Sequence, residues 1–204
     1  MKIVEYTVNI GRYDLLRDDM ICFDDISIFK NNARNSRIPK ILSHLYIDAD
    51  VSVYWDANIH KKKDFDLQKF IEVDFKGFDI MAMKCNIGRD CVYQEIEAAK
   101  KRVPNISERI LLDEQKEYYK SIGIPEHIGT LAGYQPLIRR HNDKIKRFNE
   151  IWHSHLNRFS YRDQCSFPVV LSQCPEIKVY WHNDLTEIAY KNYRHDYKPK
   201  VYDN

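Results

Sequence analysis

Two short apolar runs that end in acidic residues constrain the fold of this chain more than any other feature. Met20–Phe23 runs into Asp24 and Asp25, and Val51–Trp55 runs into Asp56. β-Branched and aromatic residues favour extended strands, and two strand–helix units within one short stretch favour a parallel sheet. Ligands of such sheets bind at the carboxyl ends of the strands. The pattern therefore predicts an α/β fold with a ligand site near these acidic residues.

The second acidic end carries two oxygen-bearing side chains, Asp56 and Asn58. Because they are two residues apart, they can point to the same side of an extended chain. Carboxylate and amide oxygens suit Mg²⁺ or Mn²⁺, with coordination sites left over for a diphosphate. Asp and Asn are also common in turns, so the same residues are typical of the turn that follows a strand. Asp25 poses the same choice between a loop and nucleotide binding.

Basic residues lie between the two acidic ends. Arg37 and Lys40 are three apart and share a helical face, and Pro39 suits the first turn of a helix. The pattern predicts a helix from Arg37 or Pro39 to Leu45, with Leu45 packed inward. Basic side chains are unfavourable at the start of a helix, which indicates that Arg37 and Lys40 face a negative group such as phosphate. A solvated basic face is the alternative.

A second helical region lies near the C-terminus. Residues 144–159 form a predicted helix with an aromatic stripe that packs into the core. Ser160 suits the N-cap of the next helix, so that Asp163 and Gln164 fall in its first turn. Pro168 is expected to end or bend this helix.

Length and composition bound the class of protein. With 204 residues, of which 44% are hydrophobic, we expect a folded single domain spanning residues 1–204. The 32 basic and 30 acidic residues nearly cancel, so no nucleic-acid partner is expected. The longest basic cluster, His60–Lys63, is followed by Asp64 and Asp66, which is typical of a solvated loop.

Cysteines and apolar segments indicate the compartment. The five cysteines include no Cys-x-x-Cys pair, which favours reduced thiols. The N-terminus lacks the apolar core of a signal peptide, and no apolar run approaches the roughly 20 residues of a membrane span. We therefore expect a cytoplasmic protein without a transmembrane segment, and peripheral contact with a membrane surface remains open.

Short motifs follow one another along nearly the whole chain. They are Tyr6-Thr7, Gly11-x-Tyr13-Asp14, Cys22-Phe23-x-Asp25, Arg37-x-Pro39-Lys40, Ser52-x-Tyr54-Trp55-Asp56-Ala57-Asn58-Ile59, Arg89-Asp90-Cys91-x-Tyr93-x-Glu95, Gln115-x-x-Tyr118, Arg140-His141-Asn142, Trp152 and Ser160-x-Arg162-Asp163-Gln164-x-Ser166-Phe167. Together and in this order they resemble the TOD/MUCI-type glycosyltransferase-like domain family and its bacterial polysaccharide-biosynthesis homologues.

The resemblance implies a single-domain GT-A-like (Rossmann-like) α/β fold, in which helices flank a mostly parallel sheet. Asp56 and Asn58 then form a variant of the Asp-x-Asp motif, which binds Mn²⁺ or Mg²⁺ and the diphosphate of a nucleotide-sugar donor. Arg37 and Lys40 clamp the same phosphates. The base and ribose are expected beside three further residues, Tyr6, Thr7 and Asp25.

The resemblance also implies which residues act on the sugar. Arg162, Asp163 and Gln164 match a motif whose Asp-Gln pair resembles the one lining the sugar site of glycogenin-like transferases. Asp163 either accepts the proton of the acceptor hydroxyl or holds hydroxyl groups of the donor sugar.

The C-terminal tail, residues 182–204, is expected to close on the site. Its His195 and Lys198 are similar to a C-terminal His…Lys-Pro element of the same enzymes, in which the His completes the metal shell and the Lys meets the diphosphate. His182 is a competing metal ligand, and a surface role for either histidine is the alternative.

Three functions remain open at the level of sequence. The first is a metal-dependent glycosyltransferase of the hexosyltransferase type, acting in polysaccharide biosynthesis on a glycan or glycolipid acceptor. The second is a non-catalytic nucleotide- or glycan-binding module, because Asn58 replaces a second Asp and Lys84–Gly88 lacks a histidine that the family has there. The third is nucleic-acid binding through Lys61–Lys63 and the basic tail.

Overall fold

The computed structural model describes residues 1–12, 14, 16–85, 88–129 and 136–191. Its strands are β1 (Ile3–Val8), β2 (Ile21–Phe23), β3 (Val51–Asp56), β4 (Ile59–Lys61), β5 (Ile80–Met83), β6 (Leu137–Arg140), β7 (Val179–His182) and β8 (Ala189–Lys191). Its helices are α1 (Asn32–Ile41), α2 (Ser43–Tyr46), α3 (Leu67–Glu72), α4 (Val92–Lys100), α5 (Ile106–Ser121), α6 (Asp143–Arg158), α7 (Asp163–Ser172) and α8 (Leu185–Ile188).

Six strands form one sheet in the order β2-β1-β3-β6-β5-β7. β1 pairs in parallel with β2 and β3, and β5 pairs in parallel with β7. β6 is antiparallel to both β3 and β5, so it runs against the other five strands of this sheet. The predicted mostly parallel sheet is confirmed.

β3 lies inside the sheet and is covered on both faces. Val51, Val53 and Trp55 pack on one face, and Tyr54 packs on the other, because successive side chains of a strand point to opposite sides. Each large side chain of this kind stabilises the fold by about 1.5–3 kcal/mol when fully buried. This packing fixes the position of Asp56, the last residue of β3.

Helices flank the sheet on both faces, as predicted. Side chains of α1, α6 and α7 form a core with the Tyr54 face of the sheet. Side chains of α3 and α8 form a second core with the opposite face. A third core joins α4 and α5 to α7, and includes Val92, Leu112 and Cys165. α7 therefore links the sheet to the outer pair of helices.

α1 begins at Asn32, before the predicted start at Arg37 or Pro39, so the predicted bounds are wrong. The side-chain oxygen of Asn31 caps the helix by accepting hydrogen bonds from the backbone N–H groups of Ala33 and Arg34. Such a cap satisfies N–H groups that have no partner within the helix. The cap, and not the proline, sets the start of this helix.

Pro39 lies near the end of α1 and not in its first turn, and the chain turns at Leu42 into α2. Leu45 is 67% exposed, so its predicted inward packing is wrong. Lys40 lies in the last turn of α1, where a basic side chain is favourable, and the argument that placed it at an unfavourable helix start is wrong too.

α7 begins at Asp163, which places Asp163 and Gln164 in its first turn as predicted. The N-cap is Arg162 and not Ser160, so the predicted cap is wrong. The hydroxyl oxygen of Ser160, two residues earlier, accepts a hydrogen bond from the Arg162 N–H at 3.2 Å. Pro168 lies inside α7 and does not end it.

The chain after β7 runs to the carboxyl end of β3. The sequence shows no periodicity from Tyr190 onwards, but β8 includes Tyr190 and pairs antiparallel with β4. In this pairing Lys191 lies opposite Ile59, the residue that follows Asn58. No helix in the described ranges is long and apolar enough to span a bilayer.

Candidate active site

Asp56 lies at the carboxyl end of β3, where the register pairs it with Val8 of β1. The hydroxyl group of Tyr54, two residues back on the same face, donates to Oδ1 of Asp56 at 2.9 Å. The side chain of Asp56 is 37% exposed. Ala57 and Asn58 form the turn into β4, and Asn58 is half-buried. Of the candidate ligand pair, Asp56 therefore ends the strand and Asn58 lies in the turn that follows it.

Lys40 connects Asp56 with a second carboxylate. Its Nζ lies 2.6 Å from Oδ2 of Asp163 and 3.8 Å from Oδ1 of Asp56. The same ammonium group lies 4.9 Å from the ring centroid of Tyr54, which is a favourable cation–π distance. The structure therefore brings Lys40 and Asp56 together with Asp163, which is more than 100 positions later in the chain.

Arg37 lies one turn before Lys40 and completes a group that we call the charged cluster: Arg37, Lys40, Asp56 and Asp163. Its Nε lies 3.5 Å from Oδ2 of Asp163 and donates to the carbonyl oxygen of Tyr161 at 3.3 Å. Two cations thus share the Asp163 carboxylate. The side chains of Lys40 and Asp163 are only 5% and 7% exposed, so this ion pair is shielded from water.

The surroundings of the charged cluster fix its protonation. Burial raises the pKa of Asp163, but Arg37 and Lys40 outweigh burial and hold that pKa below its usual range. Asp163 is therefore ionised at neutral pH. Burial and then the charge of Asp56 raise the pKa of Tyr54 well above its usual value, so Tyr54 stays neutral and donates its hydrogen bond. A carboxylate with so low a pKa is a weak proton acceptor.

A buried arginine that sequence reasoning missed holds the end of α1. Arg139 of β6 is fully buried and donates to the carbonyl oxygens of Lys40 and Ile41, the latter at 2.7 Å. It also donates at 2.7 Å to the hydroxyl group of Tyr6, which in turn donates to the Lys40 carbonyl at 3.1 Å. These bonds satisfy carbonyl groups at the helix end and so position Lys40.

Tyr6 and Thr7 have partners within the protein. Both are fully buried, and the hydroxyl group of Thr7 donates to the carbonyl oxygen of Trp55 at 2.8 Å. Their side chains thus join β1 to α1 and β3 beneath the charged cluster. Asp25 is exposed beyond the end of β2 and makes no ion pair within the described residues. Contacts of these three residues with a base or ribose stay predictions.

Arg162 and Gln164 flank Asp163. The guanidinium of Arg162 donates to the side-chain oxygen of Gln164 at 3.2 Å. The Nε atom of Arg162 is buried and has no hydrogen-bond partner in the described part of the chain. A buried donor without a partner costs about 1–3 kcal/mol, so this guanidinium is held beside Asp163 at some cost to stability.

The described residues supply only part of a metal shell. Within residues 1–12, 14, 16–85, 88–129 and 136–191, no three His, Cys, Asp or Glu side chains gather where they could hold a metal ion. One carboxylate with one amide still suits Mg²⁺ or Mn²⁺, because such ions often take one or two protein oxygens together with phosphates and waters. Asp56 and Asn58 therefore fit a shared site, and His195 and Lys198 lie outside the described residues.

His182, the competing ligand, lies at the end of β7. Its Nε2 atom is 2.9 Å from the carbonyl oxygen of Asp184 and 3.4 Å from the Glu187 carboxylate. Its ring also contacts Phe70 and Tyr180 on the α3 face of the sheet. These contacts are structural, and none of them joins His182 to the charged cluster.

Comparisons with known proteins identify relatives of the chain. A family model described as TOD1/MUCI70, glycosyltransferase-like domain, matches residues 20–195. No curated protein matches.

Three solved structures are similar at low identity. The WbbM bifunctional glycosyltransferase apo structure is 14% identical with a TM-score of 0.42, covering 89% of this chain and 44% of that one. A197 from STIV is 10% identical with a TM-score of 0.42, covering 100% of both chains. A glycosyltransferase involved in the glycosylation of the major capsid of PBCV-1 is 7% identical with a TM-score of 0.47, covering 90% of this chain and 82% of that one.

The chain thus spans less than half of the WbbM chain. The family model, in contrast, covers most of the present sequence, including every member of the charged cluster. The protein belongs to the TOD1/MUCI70 glycosyltransferase-like domain family.

Proposed function

We propose that this protein is a metal-dependent glycosyltransferase of the hexosyltransferase type. It moves a sugar from a nucleoside-diphosphate sugar to a hydroxyl group of a glycan or glycolipid acceptor in polysaccharide biosynthesis. The observation that carries the proposal is the charged cluster at the carboxyl end of β3, which couples exposed Asp56 to buried Asp163 through Lys40. Membership of a glycosyltransferase-like family supports the same reaction class.

The charge balance of the cluster supports a divalent cation. Arg37 and Lys40 carry two positive charges and Asp56 and Asp163 carry two negative ones, so the four groups give no net attraction for a diphosphate. A divalent cation, when bound, would neutralise the charge that develops on the leaving nucleoside diphosphate. Asp56 and Asn58 would hold it from the turn between β3 and β4.

The other residues bind and orient the donor. The Arg37 guanidinium, 20% exposed, presents a planar fork that matches phosphate oxygens. Ionised Asp163 accepts hydrogen bonds from hydroxyl groups of the donor sugar, because its lowered pKa disfavours proton transfer to it. The unpartnered Nε of Arg162 donates to a ligand oxygen beside it.

A thermal-shift panel of nucleoside diphosphates with and without Mn²⁺ tests this proposal. At about 100 times its Kd a ligand adds about 2.7 kcal/mol to stability, which raises the Tm of a chain of this size by about 5–10 °C. We expect such a rise for one base with Mn²⁺. Asp56→Asn should lose the metal-dependent part of the rise, whereas Asp48→Asn, at a side chain that is 97% exposed, should keep it.

Two outcomes would refute parts of the proposal. If no nucleoside diphosphate raises the Tm, or if Asp56→Asn responds as the wild type does, the donor site is misplaced. If donor binds but neither transfer nor hydrolysis of any nucleotide sugar occurs, the chain is a non-catalytic binding module, the alternative favoured by the amide at Asn58.

A further inference from the structure

A chain of buried polar side chains reaches the end of α1 from α2 and α6. Arg139 of β6 donates from one terminal nitrogen of its guanidinium to the side-chain oxygen of Asn149 in α6 at 2.8 Å. The side-chain nitrogen of Asn149 lies 3.1 Å from Nδ1 of His44 in α2. Asn149 is fully buried, and the side chain of His44 is 5% exposed. We call these three side chains the His44–Asn149–Arg139 network.

The guanidinium fixes the direction of both hydrogen bonds. An arginine side chain can only donate, so the oxygen of Asn149 must face Arg139 and its NH₂ group must face His44. Nδ1 of His44 must then accept, which makes the imidazole neutral with its proton on Nε2. Nε2 lies 3.7 Å from the Glu150 carboxylate. The network therefore fits one tautomer of one protonation state of His44.

A second proton on His44 breaks the network. Protonated His44 carries hydrogens on both ring nitrogens, so its Nδ1–H would meet the NH₂ group of Asn149, donor against donor. Half a turn of the Asn149 amide would satisfy His44, but it would bring the same NH₂ group against Arg139. One buried hydrogen bond is lost in either arrangement, and a buried donor without a partner is unfavourable.

Arg139 connects the network to the charged cluster. It donates to the carbonyl oxygen of Lys40 and to the hydroxyl group of Tyr6, which donates to the same carbonyl. Nζ of Lys40 lies 2.6 Å from Oδ2 of Asp163 and 3.8 Å from Oδ1 of Asp56. A displaced Arg139 would therefore displace the residue that couples the two carboxylates.

We propose that His44 and Asn149 are positioning residues of the donor site, and that neutral His44 is the state in which Lys40 is held in place for the nucleoside diphosphate. Protonation of His44 lowers the affinity for the donor reversibly, while the chain stays folded. The proposal rests on the proposed function, because it concerns the same charged cluster.

Charged groups on neighbouring elements set the pH of this change. Burial lowers the pKa of His44, the charge of Glu150 on α6 opposes that effect, and Arg139 and Lys146 add to it. His141, directly after β6, lies near enough for the two imidazoles to act on each other. We therefore expect the loss of affinity below about pH 6.5, the usual pKa of a histidine.

Isothermal titration calorimetry between about pH 7.5 and pH 5 tests the proposal, with UDP, GDP, ADP and CDP as probes in the presence of Mn²⁺. His44→Asn places an amide oxygen near the position of Nδ1 and takes up no proton. Because the diphosphate and its metal complex also titrate, the measured quantity is the ratio of the wild-type Kd to the Kd of His44→Asn at each pH. We expect a ratio of about 1 at neutral pH and of about 5 or more at the acid end, as the loss of one hydrogen bond predicts.

Two substitutions at Asn149 separate a hydrogen-bonding role from a space-filling one. Asn149→Asp offers an acceptor both to Arg139 and to protonated His44, so its affinity should stay level with that of His44→Asn towards acid pH. Asn149→Leu fills a similar space without an acceptor, and it should bind about fivefold more weakly than His44→Asn at every pH.

The matched control is His153→Asn. Nδ1 of His153 lies 3.3 Å from the side-chain nitrogen of Asn157, and burial lowers the pKa of this histidine too. This imidazole–amide pair on α6 makes no hydrogen bond to Arg139 within the described residues. His153→Asn should therefore lose affinity in acid as the wild type does.

NMR of the imidazole nitrogens gives a second readout, which needs no donor. Neutral His44 should show a protonated Nε2 and an unprotonated Nδ1. A proton on Nδ1 at neutral pH, or an acid loss that His44→Asn shares in full with the wild type, would overturn the proposal. Circular dichroism that shows the wild type unfolding above about pH 5 would also overturn it, because the affinity is expected to fall within the native state.

The two proposals fail in distinguishable ways. If a nucleoside diphosphate binds with Mn²⁺ at neutral pH but the ratio stays near one in acid, the positioning role is wrong and the donor site stands. If none of the four binds at any pH, the donor site is wrong and the positioning role is overturned with it, whichever tautomer His44 adopts.

Discussion

Replacing Asp163 with asparagine removes the negative charge that two cations share. Nζ of Lys40 lies 2.6 Å from the Asp163 carboxylate and Nε of Arg37 lies 3.5 Å from it, and the Lys40 and Asp163 side chains are almost fully buried. Removing one partner of a buried ion pair costs about 3–5 kcal/mol, because an uncompensated charge stays behind. For a chain of this size that loss lowers the Tm by about 6–20 °C.

Urea denaturation of a double-mutant cycle measures the coupling. Lys40→Met alone leaves Asp163 with Arg37 as its partner, so we expect a smaller loss than for Asp163→Asn. The double variant should be less destabilised than the sum of the two single variants, with a coupling energy of about 1–3 kcal/mol. Asp143→Asn, at an exposed side chain in the first turn of α6, is the control and should cost no more than about 1 kcal/mol.

The pH dependence gives an independent check. Folding lowers the pKa of Asp163 below its unfolded value of about 3.9, so its contribution is complete well above that pH and is lost as the pH falls below about 4. Asp163→Asn should therefore flatten the acid limb of the stability curve. A coupling energy below about 0.5 kcal/mol together with an unchanged acid limb would refute the reasoning, because the ion pair would then not contribute to stability.

Other predictions concern groups around the site. Arg139→Met removes the donor to the Ile41 carbonyl and leaves Tyr6 as the donor to the Lys40 carbonyl, and it should lower the free energy of unfolding by about 1–3 kcal/mol in urea. Burial and then Arg139 lower the pKa of His141 to about 4, so stability should fall by about 1–2 kcal/mol as the pH drops from 6.5 towards 4. His141→Gln should reduce the slope in pH-dependent thermal denaturation, and the remainder is expected from His44, His153 and His155, whose pKa values burial also lowers. Burial raises the pKa of the Cys165 thiol, so under native conditions iodoacetamide should modify the partly exposed Cys22 and Cys85 first and Cys165 only after unfolding, as measured by mass spectrometry.

The strands and the direction of the sheet were predictable because their signals are local. Val51–Trp55 alternates on the two faces of β3, and β-branched and aromatic residues fill both. The start of α1 was not predicted, since Pro39 was given more weight than the asparagine cap at Asn31. That error reversed the dipole argument for Lys40, although the conclusion that Lys40 faces a negative group holds.

The sequence predicts the site residues that lie in recognisable motifs, and it does not predict those that act through the backbone of α1. Arg37, Lys40 and Asp163 lie in motifs whose residue types indicate phosphate or sugar binding, and the structure brings them together. Arg139 and Tyr6 act through the backbone of α1, and no spacing in the sequence relates them to it. A charged residue that follows Leu137 and Ile138 in a short strand is the one signal that could have indicated a buried arginine.

The sequence predicts either a turn or a metal site at Asp56, and the geometry is compatible with both. Asp56 is the last residue of β3, and the turn at Ala57 and Asn58 begins directly after it, so the turn leaves the Asp56 carboxylate at the rim of the sheet. Tyr54 and Lys40 contact Oδ1 of that carboxylate from beneath. The charges of the four cluster residues balance, so on the proposed function we expect a bound diphosphate to bring a cation with it. Nucleoside-diphosphate binding should then strengthen when the metal is present, and a donor that bound equally well without it would place the phosphates away from Asp56.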